Sequence, residues 1–306
     1  MSALADHVED YLRLRRALGY KLERAGHLLP KLVAYIEDNE SETITTELAI
    51  AWARLPESAR PNHWAARLSV VRGFARYLQT IEPATEIPPD AVFPARRHRP
   101  TPYLWSEQDI AELLDGARLL RPRLRAATYE SLLGLLAVSG MRVGEAVGLD
   151  RGDADFDTGV ITIRHAKFDR PRLVPLHATT IAALRDYAAE RDRLCQAPRS
   201  TALFVSVSGA RLDRGAVAKV LRRITTDMGL RSETVRPTPH QLRHSFAVRT
   251  LVEWQRSGVR VDEHMAVLST YLGHVSPADT YWYLSASPEL MALAAERLDA
   301  RFGTRR

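Results

Sequence analysis

The side chains best suited to chemistry crowd into residues 237–283. Among its residues are the histidines His240 and His274, the arginine Arg243, and a run of aromatic residues that ends in Tyr283. A tyrosine hydroxyl is a competent nucleophile, a histidine can transfer a proton near neutral pH, and a guanidinium binds anionic oxygens. Each of these residue types alone is more often structural. A functional interpretation therefore depends on their spacing and on residues farther upstream.

Two upstream segments add charged candidates. In the first, a Ser-Gly turn precedes a short predicted helix in which Arg142 and Glu145 are three residues apart. In the second, Val160–Arg164 and Arg172–Leu176 predict two strands, with Lys167 at the start of the turn between them. Lysine is rare in this chain, which has four lysines among 43 basic residues. A lysine at this turn is therefore a candidate for proton transfer.

The elements that must position these residues are mainly helical. A capping sequence at Ser106 predicts the start of one helix, and the nearly uniform apolar stretch Arg125–Val138 predicts a central one. A short strand is predicted at Leu203–Ser206. Further helices are predicted at Thr179–Leu194, Arg214–Met228, His240–Gln255, Val261–Leu272, Asp279–Leu284 and Pro288–Phe302. These patterns indicate a second domain, residues 104–306, that is mainly α with a small antiparallel β-sheet.

Residues 1–82 form a separate helical domain in the sequence pattern. Apolar residues recur at helical spacing in four stretches, the last running from Trp64 to Leu78. The pattern stops in residues 83–103, where closely spaced prolines oppose both helix and central strand. This segment is predicted to be a linker, and it carries a basic patch that includes Arg96, Arg97 and Arg99.

The composition is that of a globular protein, with 45% hydrophobic and 26% charged residues. The formal charge of +6 favours a polyanionic partner. The single cysteine, Cys195, excludes an intrachain disulfide and a cysteine-cluster metal site. No apolar run approaches the ~18 residues of a membrane span, and the first residues lack a signal-peptide pattern. We expect a cytoplasmic, nucleoid-associated protein with no membrane contact.

In type and order, the candidates resemble the tyrosine recombinase (phage integrase) family. The matching pieces are Arg-x-x-Glu after a turn at Gly140–Glu145, a hairpin lysine five residues before Arg-Leu-Val-Pro-Leu, His240-x-x-Arg243-His244, Leu272-Gly273-His274, and a tyrosine nine residues after that histidine. The resemblance covers the second domain in full and the first domain by its helical, basic character. The Tyr-Trp-Tyr-Leu ending is similar to that of transposon-borne members. The resemblance implies a helical DNA-clamping domain followed by an α+β tyrosine-recombinase catalytic domain.

The activity that this resemblance implies is site-specific DNA recombination through a 3′-phosphotyrosyl intermediate. Such an enzyme would serve integration, excision or transposition of DNA without metal, cofactor or ATP. Tyr283 would attack the scissile phosphate, and Arg142 and Arg243 would stabilise the charge on its oxygens. Lys167 would protonate the leaving 5′ oxygen, because a lysine can lose a proton near neutral pH when its pKa is depressed.

The remaining candidates are assigned supporting parts. His240 and His274 would bond the phosphate oxygens or take the phenolic proton, and Glu145 would orient an arginine. Tyr281 and Tyr271 are rival nucleophiles. Tyr281 and Tyr283 lie about 200° apart on a helix, so both cannot face one phosphate. His244 is expected to point away from the site and to be structural.

Double-stranded DNA is the expected partner. The predicted DNA-binding residues are the basic ones of the first domain and the linker: Arg13, Arg16, Lys21, Arg67, Arg72, Arg76, Arg96, Arg97 and Arg99. The resemblance implies a homotetramer on two DNA sites, with other recombinases or accessory DNA-bending proteins as further possible partners. Helix 288–302 would dock on a neighbouring protomer or fold back on its own.

Two other functions fit the same residues less well. A type IB-like topoisomerase uses similar side chains to relax supercoils. A catalytically silent or partner-dependent DNA-binding accessory protein would keep the fold without the chemistry, although a binder needs no tyrosine nine residues past a histidine.

Overall fold

The computed structural model describes residues 2–94, 102–164, 171–274, 276, 278–285 and 288–302. These residues separate into two compact units, Met1–Arg99 and Pro100–Arg306. The first unit contains four helices, as its periodicity predicts: α1 (Ala3–Ala17), α2 (Glu23–Asp38), α3 (Thr46–Arg54) and α4 (Pro61–Leu78).

Helix α4 illustrates how the sequence builds the first unit. It begins with a proline at its first turn, where the missing N–H costs nothing. Its buried residues recur every three or four positions and so share one face: Leu68, Val71, Ala75 and Leu78. This face packs in one hydrophobic cluster with Trp52 of α3 and with the apolar faces of α1 and α2. The unit therefore has a core of its own.

The chain after α4 stays attached to this first unit. Residues 83–94, the described part of the predicted linker, contain no helix or strand. Even so, the Thr85 side chain is buried, Phe93 joins the hydrophobic cluster of the unit, and the backbone N–H of Glu86 donates to the Ile44 carbonyl at 2.8 Å. The first unit thus extends past the predicted boundary at residue 82 to include these residues.

The second unit is mostly helical and holds the largest hydrophobic cluster. Its first helix starts with the predicted capping box, in which Ser106 and Asp109 bond each other's backbone N–H. The central helix α6 is buried on nearly all sides, as its uniform apolar sequence predicts. The helices up to the sheet are α5 (Glu107–Arg118), α6 (Arg123–Ser139) and α7 (Val143–Gly148), and those after it are α8 (Ala178–Leu194) and α9 (Arg214–Asp227).

A three-stranded antiparallel sheet lies between α7 and α8. Its order is β1 (Ala154–Asp155), β2 (Val160–Ile163) and β3 (Arg172–Pro175), with Ile163 opposite Arg172 at the end of the β2–β3 hairpin where the chain connects the two strands. The small sheet confirms the predicted fold class. The predicted strand at Leu203–Ser206 is wrong, because this segment makes isolated bridges through Ala202 and Val205 and no ladder. Its apolar side chains are buried for packing instead.

The C-terminal elements form a second cluster in this unit. They are α10 (Pro239–Arg256), α11 (Val261–Leu272), α12 (Ala278–Tyr281), a 3₁₀ turn over Trp282–Ser285, and α13 (Pro288–Phe302). Helix α13 packs against α10 of the same chain. Leu290 is buried in the cluster, and Glu289 accepts a hydrogen bond from Arg256 at 2.5 Å. In this structure, α13 therefore folds back in cis.

Candidate active site

Arg142 lies at a tight turn between α6 and α7. Gly140 ends α6 in the left-handed region at φ +59°, and a Cβ there would come within 2.5 Å of Phe246, so the turn requires glycine. The Arg142 guanidinium donates from Nη1 to Glu145 Oε1 at 2.9 Å and from Nη2 to the Gly273 carbonyl at 3.0 Å. Within the described part of the chain, these bonds leave three of its five N–H donors for an oxyanion.

Glu145 holds Arg142 in position by accepting hydrogen bonds from its backbone and its side chain. Its side chain is 4% exposed and is gripped by Arg142 on one side and by the paired N–H groups of Arg172 on the other, at 2.8 to 2.9 Å. Burial alone would raise the pKa of Glu145. The hydrogen bonds and charge of Arg172, followed by the contacts of Arg142, outweigh burial and lower the pKa to about 2. Glu145 is therefore ionised at neutral pH.

Arg243, in the second turn of α10, is the most deeply buried charge of the site. Its residue exposure is 1%, and it donates from Nη1 to the Gly140 carbonyl at 2.8 Å and from Nη2 to the Leu272 carbonyl at 2.7 Å. Burial and the nearby charge of Arg142 lower the pKa of Arg243 to about 10. The guanidinium therefore remains charged at neutral pH and ties α10 to the turns that carry Arg142 and His274.

His274 and His240 reach the site from two different elements. His274 follows Gly273, the left-handed C-cap of α11, and its Nδ1 lies 2.6 Å from Thr280 Oγ1. Burial, then the charges of Arg243 and Arg142, lower the pKa of His274 to about 4. His240, on the first turn of α10, is exposed at the surface, but protein atoms around its ring still exclude part of the solvent; this desolvation, followed by the charges of Arg243 and Arg142, lowers its pKa. Both rings are thus disposed to be neutral proton acceptors.

Tyr283 lies in the 3₁₀ turn and is 2% exposed. Its ring stacks on His274 at a centroid distance of 5.9 Å and an angle of 24°. Burial raises the pKa of the Tyr283 hydroxyl, while the charge of Arg243, a hydrogen bond with it, and the charge of Arg142 offset part of that rise. Tyr281 is 52% exposed, so the two neighbouring tyrosines do face different surroundings.

His244 departs from the sequence expectation, which placed it away from the site. Its ring lies 4.5 Å from that of His240, 4.9 Å from that of Trp282 and 5.3 Å from that of Tyr283, centroid to centroid. The correction has a physical cause. The 3₁₀ turn that contains Trp282 and Tyr283 folds back over α10 and covers the helix face on which His244 lies. Without this turn, His244 would be exposed to solvent.

The structure brings five of the six predicted catalytic residues together. The charges of both arginines act on the pKa values of the two histidines and of Tyr283. The sixth, Lys167, lies outside the described residues. Arg172 also belongs to the site, although the sequence predicts it only as the start of a strand. A charged residue at the edge of an apolar strand was the signal that could have found it.

The basic residues predicted to bind DNA divide into two groups. Arg13, Arg16, Lys21 and Arg76 have exposed side chains, and Arg96, Arg97 and Arg99 lie outside the described residues. Arg67 and Arg72 differ from the prediction of an exposed DNA-binding surface, because both side chains bond to other residues of the first unit. Arg67 is 8% exposed, lies 3.8 Å above the Trp52 ring and donates to the Trp52 carbonyl at 2.9 Å. Arg72 bonds the carbonyls of Pro88 and Pro89 and pairs with Asp90.

No three histidine, cysteine, aspartate or glutamate side chains in the described ranges are grouped as a metal site would require. Among the helices in those ranges, none has the length and apolarity needed to cross a bilayer.

Comparisons with solved structures identify the fold. A transposon integrase, that of Tn1549 in complex with transposon right end DNA, superposes with a TM-score of 0.64 over 97% of this chain and 99% of that one, at 14% identity. The XerH site-specific recombinase bound to its palindromic difH substrate has a TM-score of 0.62 over 82% of this chain and 72% of that one, at 20% identity.

Comparisons of sequence find relatives with higher identity than these solved structures. A putative integrase/recombinase of Sinorhizobium fredii, y4rB, is 46% identical over the full length of both chains. The tyrosine recombinase XerC of Azotobacter vinelandii is 30% identical over 92% of this chain and 91% of its own length. Residues 105–289 match the phage integrase family. The chain therefore belongs to the phage integrase family, the tyrosine recombinases.

Proposed function

We propose that this chain is a site-specific DNA recombinase that breaks and rejoins DNA through a covalent bond between Tyr283 and a 3′ phosphate. The observation that carries the proposal is the meeting of two guanidinium groups with two histidine rings of lowered pKa around one buried tyrosine. Such a set can bind a phosphodiester, stabilise added negative charge and accept a proton. Family membership supports the same conclusion.

In the first step, the Tyr283 oxygen attacks phosphorus and the bond to the 5′ oxygen breaks. The phenolic proton passes to His240 or His274, because the lowered pKa of each leaves its ring neutral and able to accept a proton. The free N–H groups of Arg142 and Arg243 hold the non-bridging oxygens as their charge increases. Lys167 is proposed to protonate the departing 5′ oxygen. Each step exchanges one phosphodiester bond for another, so the bond energy is retained.

The partner is proposed to be double-stranded DNA, bound in the cytoplasm at the nucleoid. The exposed basic residues of the first unit suit a role on the phosphate backbone: Arg13, Arg16, Lys21 and Arg76. By analogy with the family, four copies would assemble on two DNA sites, with α13 exchanging its cis contacts for a neighbour. Partner recombinases or DNA-bending proteins would act beside it.

The test uses nicked suicide duplexes made from the DNA that flanks the gene. These trap a covalent adduct because the short cleaved strand diffuses away before rejoining. We expect an adduct on denaturing gels with the wild-type chain, and none with Arg243→Ala under conditions in which both bind the duplex. Binding without any adduct would point to a silent DNA-binding protein. Relaxation of a supercoiled plasmid that lacks the flanking sequence would point to a topoisomerase.

A further inference from the structure

Arg172, the first residue of β3, reaches away from its strand into the candidate site. Its side chain is 11% exposed and makes three hydrogen bonds. Nη1 donates to Glu145 Oε1 at 2.9 Å, Nη2 donates to Glu145 Oε2 at 2.8 Å, and Nε donates to the Tyr271 carbonyl at 3.0 Å. A paired bond of this kind fixes both partners in one plane, which a lysine cannot reproduce.

The two oxygens of Glu145 are shared between two arginines. Oε1 accepts from the guanidinium groups of Arg142 and Arg172, and Oε2 accepts from the Arg142 backbone N–H and from Arg172. A carboxylate engaged by four donors in this way has no role left in proton transfer. It serves instead as a rigid bridge through which Arg172 fixes the direction of Arg142.

The same guanidinium lies directly beneath the turn that precedes His274. A Cβ on Gly273 would come within 2.7 Å of Arg172 Nη1 and 2.8 Å of its Cζ, and Gly273 has a left-handed φ of +67°. The Gly273 carbonyl accepts the second bond of Arg142 at 3.0 Å. Arg172 thus connects its own strand β3 to two other segments of the site, helix α7 and the turn at residues 271–274.

We propose that Arg172 is a positioning residue for strand cleavage, which holds Glu145 and the turn before His274 so that Arg142 presents its free N–H groups in one direction. This inference rests on the proposed function. It assigns to Arg172 no contact with DNA. Its removal should slow the chemical step by misdirecting Arg142, and it should leave the affinity for DNA unchanged, because affinity comes from many phosphate contacts along the duplex and not from the direction of one guanidinium.

The arrangement also has a pH signature. The charged groups that face Glu145 are Arg142 at the start of its own helix, Arg172 from β3 and Arg243 from α10, while Arg214 of α9 lies against the neighbouring Gly144. Burial raises the pKa of Glu145, and the contacts of Arg172 and Arg142 lower it. Without Arg172, only Arg142 would oppose the effect of burial, so the pKa of Glu145 would rise from about 2. A protonated Glu145 would no longer hold Arg142, and cleavage would slow as the pH falls.

The experiment measures single-turnover adduct formation on the suicide duplex from about pH 5 to pH 8. The variants are Arg172→Met and a matched control, Arg211→Met. Arg211 is matched because it also makes three bonds, to the Val147 and Leu149 carbonyls and to Asp150, at the opposite end of the same helix α7. We expect the rate of Arg172→Met to fall on the order of 10- to 100-fold at neutral pH. The control should keep the wild-type rate, and both should bind DNA normally.

The ratio of wild-type to Arg172→Met rates should widen as the pH is lowered. The histidines titrate in both chains and cancel in this ratio. In the background Glu145→Gln, which cannot titrate, the Arg172→Met change should have little further effect on the rate and none on the shape of the profile. This non-additivity is the mark of two residues that act as a unit. Additive losses with parallel pH profiles would instead mean general loosening of the fold.

The outcomes separate this inference from the proposed function. A wild-type chain that binds the duplex and forms no adduct refutes the proposed function and the inference with it. A wild-type adduct, with Arg172→Met as fast as Arg211→Met, overturns the inference alone. If Arg172→Met does not fold, Arg172→Lys is measured instead. It keeps the charge and loses the paired bond, so a slower rate with unchanged DNA affinity supports the inference and a wild-type rate overturns it.

Discussion

Replacing Glu145 by glutamine should make the second unit less stable, and the loss should depend on pH in a defined way. The amide keeps the size of the side chain and removes its charge. Arg172, at 11% exposure, and the partly buried Arg142 then lose the anion between them. Removing one member of a buried ion pair typically costs about 3–5 kcal/mol, because the other charge is left without compensation.

The structure gives a second route to this magnitude. The pKa of Glu145 is lowered from 4.5 to about 2, which at ~1.4 kcal/mol per pKa unit corresponds to roughly 3 kcal/mol of stability at neutral pH. Because the folded pKa lies below the unfolded one, this contribution is complete above about pH 4.5 and is lost as the pH falls towards 2. The stability difference between wild type and Glu145→Gln should shrink over that same interval.

The assay is urea unfolding, monitored by pulsed hydrogen exchange and mass spectrometry, which gives the unfolding free energy of the second unit separately from that of the first. Glu130→Gln is the control. Glu130 pairs with Arg118 at 2.7 Å, but the side chains are 34% and 56% exposed, so its loss should cost no more than about 1 kcal/mol. A Glu145→Gln cost as small as that of Glu130→Gln, or one that stays constant from pH 5 to pH 2, would refute the reasoning.

Three further predictions concern other parts of the structure. An NMR titration of the DNA-free chain should find the His274 ring neutral down to about pH 4, since burial and two arginines lower its pKa; protonation near pH 6.5 would contradict this. His244→Ala should slow adduct formation roughly tenfold by loosening Tyr283, and His244→Phe, which keeps a ring there, should retain more of the rate; equal rates for the two variants would argue against packing. Arg67→Met should lower the unfolding free energy of the first unit by roughly 1–3 kcal/mol, because the contacts of Arg67 with Trp52 are lost. A folded variant with weaker DNA affinity would contradict this structural role and would indicate that Arg67 binds DNA.

The sequence was sufficient for the order of the elements and for most of the chemistry. Apolar periodicity predicts α4 and α6 because the faces of these helices are decided by local spacing, and Gly140 and Gly273 mark turns that need a left-handed residue. Arg142 and His274 come just after these two turns, and His240 lies in the first turn of a helix. The location of these residues in space could therefore be predicted largely from the turns and helix ends next to them in the sequence.

What escaped prediction depends on long-range contacts of arginines. Arg172 bonds a carboxylate 27 residues away and a carbonyl 99 residues away, and no local pattern encodes either contact. Arg67 is predicted to lie at the surface because it falls off the apolar stripe of its helix, yet its guanidinium stacks on Trp52 of another helix. His244 is predicted to lie outside the site because it follows Arg243 on the helix and points elsewhere, but a 3₁₀ turn that begins 38 residues downstream covers it. In each case the partner, not the residue's own neighbourhood, decides the environment.

The central claim is that Tyr283 is the nucleophile, and mapping the covalent adduct tests it most directly. The adduct formed on the suicide duplex would be digested and the nucleotide-bearing peptide sequenced by mass spectrometry, with Tyr283→Phe and Tyr281→Phe compared in parallel. We predict a DNA-linked Tyr283, an adduct abolished by Tyr283→Phe, and an adduct retained by Tyr281→Phe. An adduct that survives Tyr283→Phe, or that maps to Tyr281, would contradict this account of the site.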